Sequence, residues 1–327
     1  MLNEMKTQSS EKTSEFVKKN FFPMLLLVIL SFFVGCQDDM TVQSTDEITT
    51  DQQALQKLAD EDSVLMSFEP NYDEGGEMDL YKVNTEIYPF KVGHKMRLVN
   101  RTISVTFDGD TAYGLVTKTF EGVLSIKGSY DPNATNPDTL IKKVFTSVVT
   151  RNVVFVKIAN TKFPERNWKI AAISLPEGGT LNPNIDINKF TAFLPNGDTL
   201  VINSPNDYYL VRNWGQWWRW HHVPVINQGG EVLLRVELNS AYADTDFVTL
   251  TFGADRFGMH RFKRKFELIS SNANGNIYEK VYEQTFVAHQ FPGFFHAIIN
   301  AMPKQVVFDD STPVEMESWG VPYFVRP

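Results

Sequence analysis

The sequence predicts a mainly β protein: a helix plus a curved antiparallel sheet, followed by an antiparallel β-sandwich. Three observations predict it. From residue 97 onward the apolar period is two, with Ile103, Val105 and Phe107 alternating with Thr102, Ser104 and Thr106. Tight-turn signals such as Asp108-Gly109-Asp110 separate the runs. Beyond residue 185, short strand-like runs recur about every 10–15 residues between Gly-, Asn- and Pro-rich turns.

The elements follow in order. Thr50 with Gln53 three residues on has the capping-box pattern, and Asp51 suits the positive end of a helix dipole. Ala54, Leu55, Leu58 and Leu65 fall near helical spacing, which predicts a helix over 51–66. Pro70 and the acidic, Gly-containing stretch 70–79 read as a loop. After the turn at Asp108–Asp110, a long strand is expected from Thr111 to Ile126. Its partner runs from Leu140 to Ile158, and a last strand covers Trp168–Ser174. Together these make a four-stranded meander with long middle strands.

The second half has shorter expected strands: Phe190–Leu194, Thr199–Ile202, Tyr208–Val211, Glu231–Leu238, Phe247–Phe252, Arg261–Ile269, Ile277–Phe286, Phe294–Ile299 and Gly320–Val325. This density argues for a sandwich of immunoglobulin-like size. The Gly/Pro-rich segment 176–186, opening Pro176-Glu177-Gly178-Gly179, is the best boundary. The expected organisation is a signal peptide over 1–35, a flexible tether over 36–50, a helix-plus-curved-sheet domain over 51–180 and a β-sandwich over 185–327.

The N-terminus reads as an address. Residues 1–20 carry Lys6, Lys12, Lys18 and Lys19, and residues 21–34 are almost wholly apolar. Fourteen apolar residues are too few for a permanent membrane span, which needs about 20. A basic start, a short apolar core and a small residue at its end make a secretory signal. That core ends Phe33-Val34-Gly35-Cys36, and Cys36 is the one cysteine of the chain. Gln37-Asp38-Asp39 and a polar stretch to Thr50 follow, with no apolar period, as in a flexible tether.

These residues resemble the bacterial lipobox, although Phe33 stands where Leu is usual. The resemblance implies lipidation of Cys36 and cleavage after Gly35. The acids after the cysteine resemble the surface-export signal of Bacteroidota lipoproteins, which implies outer-membrane attachment and favours the cell surface over the periplasmic face. The long curved strands after one helix resemble the NTF2-like fold over about residues 50–176, by element order alone. Many members of that fold are enzymes with an Asp/His pocket pair, and this stretch offers His94 without a clear partner. The whole chain resembles uncharacterised Bacteroidota surface lipoproteins.

Composition narrows function. A chain of 327 residues with 43% hydrophobic and 21% charged residues is globular in type. Net charge −8 argues against general nucleic-acid binding, which needs a positive face toward phosphates. Removing residues 1–35 takes away four Lys and three Glu, so −8 becomes −9 in the mature chain. A single cysteine rules out an intramolecular disulfide and any two-thiolate zinc site.

The most unusual segment is Trp214-Gly215-Gln216-Trp217-Trp218-Arg219-Trp220-His221-His222. In a strand, Trp218 and Trp220 share one face, while Trp217, Arg219 and His221 share the other. The aromatics fit either a stacking platform for sugar rings, edged by Arg219 and His221, or an interdomain hinge packed with aromatics. His221 and His222 would point to opposite faces, and the other histidines lack ligand spacing, so no metal and no cofactor are expected. Asp244-Thr245-Asp246 and Asp309-Asp310 fit calcium carboxylates or ordinary turns. The run Arg256 to Lys265, with His260, Arg261, Lys263 and Arg264, fits an anionic partner or a solvated strand face.

No GxSxG, HExxH or P-loop motif is present. The reading is therefore a lipid-anchored envelope module, non-enzymatic, that binds a glycan or an outer-membrane protein. The alternatives are a pocket enzyme in the curved-sheet half and a structural subunit of an outer-membrane assembly. For the anchor the expected outcome is specific. The Cys36→Ala chain stays an unprocessed precursor and leaves the detergent phase on phase partitioning, whereas equal retention overturns lipidation as the anchor.

Overall fold

The computed structural model describes residues 49–61, 78–79, 86–212, 220–254 and 262–327, with 78–79 and 254 described by backbone alone. The chain is mainly β. Its described elements are α1 (Asp51–Glu61), β1 (Met78–Asp79), β2 (Tyr88–Asp108), β3 (Thr111–Ser129), β4 (Thr139–Lys157), β5 (Trp168–Ser174), β6 (Glu177–Gly179), β7 (Ile185–Phe193), β8 (Thr199–Ile202), β9 (Tyr209–Arg212), β10 (Trp220–His221), β11 (Val225–Asn227), β12 (Glu231–Ser240), β13 (Phe247–Ala254), β14 (Phe262–Lys265), β15 (Glu267–Asn274), β16 (Ile277–Val287), β17 (Gly293–Met302), α2 (Lys304–Phe308) and β18 (Glu317–Arg326). Single 3-10 turns occupy Pro164–Arg166 and Pro205–Asp207.

The expected capping box forms. The Gln53 backbone N–H donates to Thr50 Oγ1 at 3.2 Å, and the Thr50 N–H donates back to Gln53 Oε1 at 3.1 Å. Leu55 and Ala59 then enter the core from one helix face. The expected residues 62–66 of this helix lie outside the described residues.

Strands β2, β3 and β4 form a long antiparallel ribbon. Gly109 turns the first hairpin at φ +57°, a conformation costly for any residue with a Cβ. Even-numbered residues of β3, from Ala112 through Phe120 to Ile126, face inward, as do odd-numbered residues of β4, from Phe145 to Phe155. On β2 the phase changes. His94 and Met96 pair with Leu124 and Gly122, whereas Arg101 and Ile103 pair with Lys118 and Val116, because the register shifts between Leu98 and Asn100. One extra residue there, Val99, keeps the same side of β2 turned inward along its whole length.

One sheet runs β1-β2-β3-β4-β6-β18-β17-β13-β14, with β5, β9, β10 and β11 paired beside that path, and a second runs β15-β16-β12-β7-β8. A shared core joins them. Val232, Leu234, Val236 and Leu238 of β12 and Phe190 of β7 pack with Leu250 and Phe252 of β13 and Ile299, Trp319 and Val321 of β17 and β18. Strands β17 and β18 are buried on both faces, which explains their near-continuous apolar runs. The second face of the large sheet packs on the ribbon. Val92, Phe120, Leu124 and Phe145 meet Met302, Val306, Val307 and Phe308 there.

The expected loop 70–79 contains β1, β2 starts at Tyr88 and not near residue 97, and two further differences bear on how the sheets join. Arg261–Ile269 was expected as one strand. Its described part splits at Phe266, which is buried and donates its N–H to Val248 O at 2.9 Å. Burying that ring turns the chain from β14 in the large sheet to β15 in the small one. The segment 176–186, expected as a boundary, contains β6. This strand bonds to β4 through Val148–Thr150 on one side and to β18 through Glu317–Trp319 on the other. The large sheet therefore continues across it.

Its glycines are spacers. A Cβ on Gly178 would come within 2.6 Å of Val149 Cγ2 and 2.8 Å of Val148 O, and one on Gly179 within 2.3 Å of Met316 O. The neighbouring backbones lie too close for any side chain at these two positions.

Glu317, beside this joint, ties the two sheets. Its Oε1 accepts the Trp319 indole N–H at 2.8 Å, and its Oε2 accepts the backbone N–H of Ile187 in β7. Burial pushes its carboxyl up to about 8, helped by the charges of Asp186 and Glu177 and opposed by the two N–H donors. A carboxyl whose pKa is raised by folding binds its proton more tightly in the native state. Its contribution to stability is complete below the ordinary value of 4.5 and is lost as pH rises toward 8.

Three outcomes are expected. Gly179→Ala destabilises the whole chain by at least about 2 kcal/mol in chemical denaturation, through overpacking against backbone that cannot move aside. Limited proteolysis of the native protein leaves 176–186 intact. The slope of unfolding free energy between pH 5 and 8 becomes flatter in Glu317→Gln, by up to about 1.4 kcal/mol per pH unit. Identical slopes in the two proteins would remove Glu317 as a titrating strap.

Candidate ligand-binding cleft

The β6 joint opens into a cleft of about 560 Å³. Val148 and Thr150 of β4, Glu177 of β6, the following loop Thr180–Pro183, Ile185 and Asp186 of β7, and Asn206 line it, with Glu317 among them. Each segment is held locally. The Thr180 N–H donates to Met316 O at 2.9 Å, and the Met316 N–H donates back to Thr180 Oγ1 at 3.0 Å. Asn182 turns the loop at φ +51°, a left-handed conformation that Asn tolerates better than most residues. Leu181 beside it is 71% exposed and forms an apolar point in the lining.

Asn206 sits in the 3-10 turn that Pro205 starts. Its Nδ2 donates to Thr150 Oγ1 at 2.9 Å and to Glu177 Oε2 at 3.3 Å. Its backbone carbonyl accepts from Asn152 Nδ2 at 3.0 Å, and its Oδ1 accepts from Ser174 Oγ at 3.4 Å. The carboxamide is thereby fixed in one orientation before any ligand arrives.

The cleft is acidic. Burial raises the Glu177 carboxyl above the usual range, and the charges of Asp186 and Asp207 raise it further. No Lys, Arg or His is among its described lining residues. The surface is thus rich in acceptors, with amide and hydroxyl groups interspersed and Leu181 beside them. Such a surface suits ligands that donate many hydrogen bonds, namely polyols, or cationic groups. It opposes anions.

The residues singled out from sequence are dispersed. Trp220 is 7% exposed, belongs to the main core, and carries the Arg212 guanidinium 5.4 Å from its ring centre. Its ring is therefore core and offers no open stacking face. The cause is its pairing opposite Arg212 in β9, which turns it inward. His221, one residue on, is exposed, as strand alternation requires. Trp217, Trp218 and Arg219 lie outside the described residues, as do Cys36, Arg256, His260 and Arg261. His94 packs edge-on to Phe145 at 6.2 Å, and His289 stacks on Phe291 at 4.9 Å.

The acidic pairs have local partners. Asp246 forms a 2.8 Å ion pair with Lys280, both side chains fully buried, and accepts from Ser240 and Tyr282. Asp309 accepts from the Ser311 hydroxyl and the Ser311 N–H, each at 2.7 Å, and from the Thr312 hydroxyl at 2.9 Å, which lower its carboxyl to about 2. Among the described residues, Asp309, Asp310 and Glu86 bring carboxylate oxygens within 4.8 Å of one another. The Lys143 ammonium lies against the same turn, donating to the carbonyls of Val306 and Thr312 at 2.8 Å and to that of Asp309. Asp310 accepts from the Tyr130 hydroxyl at 2.8 Å.

Sequence reasoning missed Glu177, Asp186, Asn206 and Glu317 as a group. They come from four separate segments and share no spacing. The one local signal was the Glu177-Gly178-Gly179 run, read as a turn. Comparison of the chain with protein-family models gives no match, and comparison with curated proteins gives none either.

Proposed function

We infer that the protein is a lipid-anchored envelope module, held at the outer membrane through Cys36 and facing the cell surface, that binds a neutral glycan in the cleft beside β6. The orientation of Asn206 carries this reading. A carboxamide fixed by three hydrogen bonds, on a residue whose backbone carbonyl accepts a fourth, stands next to the carboxylates of Glu177 and Asp186 and presents preorganised groups to sugar hydroxyls. The negative wall rejects acidic glycans and nucleic acid. The polar stretch 36–50 supplies the reach between lipid and ectodomain.

A second reading places acid–base chemistry in the same cleft, favoured by the raised carboxyls of Glu177 and Glu317. It is weaker because both oxygens of Glu317 already accept protein N–H groups. That carboxyl holds the wall in place.

The test is a screen of neutral oligosaccharides against the detergent-solubilised full chain, followed by calorimetry on each hit. Glu177→Gln and Asn206→Ala each weaken binding about tenfold, equivalent to about 1.4 kcal/mol. Their melting temperatures stay close to that of the parent. Absence of any neutral-glycan hit, or full affinity in both variants, sinks the reading. Cleavage of the bound oligosaccharide would favour the enzyme instead.

A further inference from the structure

The buried Lys143 and Lys280 have their charge answered within the fold, whereas Lys265, exposed at its outer side, and the half-buried Lys304 share one cavity. Lys265 ends β14, paired opposite Thr249 of β13, and Lys304 opens α2 directly after Met302 and Pro303. Met302 itself pairs with Phe247 at the start of β13, so the ends of three strands converge here. With Thr245, Asp246, Phe247 and Phe308 the two lysines line a cavity of about 240 Å³.

Each ammonium is steered by an aromatic ring. Lys265 Nζ lies 5.6 Å from the centre of the Phe247 ring, and Lys304 Nζ lies 5.8 Å from that of Phe308. Among the described residues neither lysine forms an ion pair. The one carboxylate that lines the cavity, Asp246, is engaged by Lys280 at 2.8 Å in a fully buried pair. Partial desolvation of its inner side lowers the Lys265 ammonium below the usual lysine range, and the like charge of Lys304 lowers it further. Two positive charges therefore face one small space without a counter-ion, in a chain of net charge −8. The exposed side chain of Thr245 adds a hydroxyl donor. Lys263 lies two residues before Lys265, on the same side of the edge strand β14.

We propose that Lys265 and Lys304 form a binding site for a tetrahedral oxyanion, a phosphate or sulfate group, free or carried on a larger molecule. An anion placed between the two ammonium groups relieves their mutual repulsion and gains charge-assisted hydrogen bonds from both. The cavity has room for one such group with water, and the phenyl rings of Phe247 and Phe308 keep the two lysine chains directed. The site is independent of the acidic cleft, whose charge excludes the same ligands.

The experiment uses the full chain. Thermal melting is followed in sodium phosphate, sodium sulfate and sodium chloride at equal ionic strength, and inorganic phosphate is titrated by calorimetry. Phosphate raises the melting temperature above that in chloride and binds in the millimolar range. Lys265→Met with Lys304→Met abolishes the phosphate-specific rise and weakens binding at least tenfold, whereas Lys57→Met, on the exposed face of α1, changes neither. A water-soluble short-chain phosphatidate is titrated beside inorganic phosphate. Tighter, lysine-dependent binding of the phosphatidate identifies a carried phosphate group as the ligand, and equal binding identifies the free anion. No gain over chloride in the parent, or an unchanged gain in the double variant, overturns the proposal. If the double variant does not fold, Lys304→Gln alone decides the matter by the same titration.

Discussion

The fold turns on a three-residue strand without room for side chains at its centre. Glu177-Gly178-Gly179 lies between β4 and β18, and the neighbouring backbones approach closely enough that a Cβ on either glycine would collide. This closeness lets the long ribbon of the first half and the buried strands of the second half share one hydrogen-bonded sheet. It also sets Glu317 opposite Gly179, from where its carboxylate reaches the Ile187 N–H in the other sheet. The cleft is the space left where β4 and β6, the loop after β6, and the start of β7 cannot close over one another. Its acceptors are thus a consequence of the joint.

The ribbon shows how register is kept over some twenty residues. Its inward face is apolar at both ends and cationic in the middle, where Arg101, Lys118 and Arg151 lie on neighbouring strands. Arg101 reaches the carbonyl of Ala59 and pairs with Asp60 at 2.9 Å, which fixes the C-terminal turn of α1 against β2. Arg151 donates to the carbonyl of Ser174 at 2.7 Å and thereby binds β4 to the end of β5. A one-residue slip would turn these charges outward and the Thr-rich outer face inward. Burial of long cations that reach specific carbonyls is therefore a register lock in addition to a packing device.

What could be read from the sequence depended on whether one periodicity governed the segment. Thr111–Ile126 and Leu140–Ile158 were legible because alternation runs unbroken along β3 and β4. The first half of β2 was not, because Val99 flips the phase and hides the strand upstream of it. The Thr50/Gln53 cap was legible, being a purely local contact. Glu177-Gly178-Gly179 was read as a turn because glycine pairs usually make turns, whereas here the neighbouring backbones require them in a strand. The Trp214–His222 segment stood out by composition, yet Trp220 is core. Composition gives the size of an apolar surface and not the side on which it lies. Glu317 carried no signal, since a lone acid before Trp319 looks like any surface acid until two sheets close over it.

Charges answered within the fold differ from those left partly open to solvent more sharply than the apolar pattern would suggest. Lys143 ends among three carbonyls and Lys280 on Asp246, so each has its charge answered by the fold itself. Burying such groups costs free energy that the chain recovers only through those partners. Lys265 and Lys304 lie against the rings of Phe247 and Phe308, and among the described residues neither forms an ion pair. Glu177 and Asp186 lie beside β6, between β4 and β7, and among the described residues no cation lines the cleft they share. Val248, Leu250, Ile299 and Trp319 belong to the main core, and Glu317 serves it by accepting the Trp319 indole N–H. A chain of this size gains stability by pairing charged groups or moving them to the surface. Charge left partly open to solvent, on Lys265 and Lys304 where β13 and β14 end and on Glu177 and Asp186 beside β6, marks the two places where the proposed ligands would be recognised.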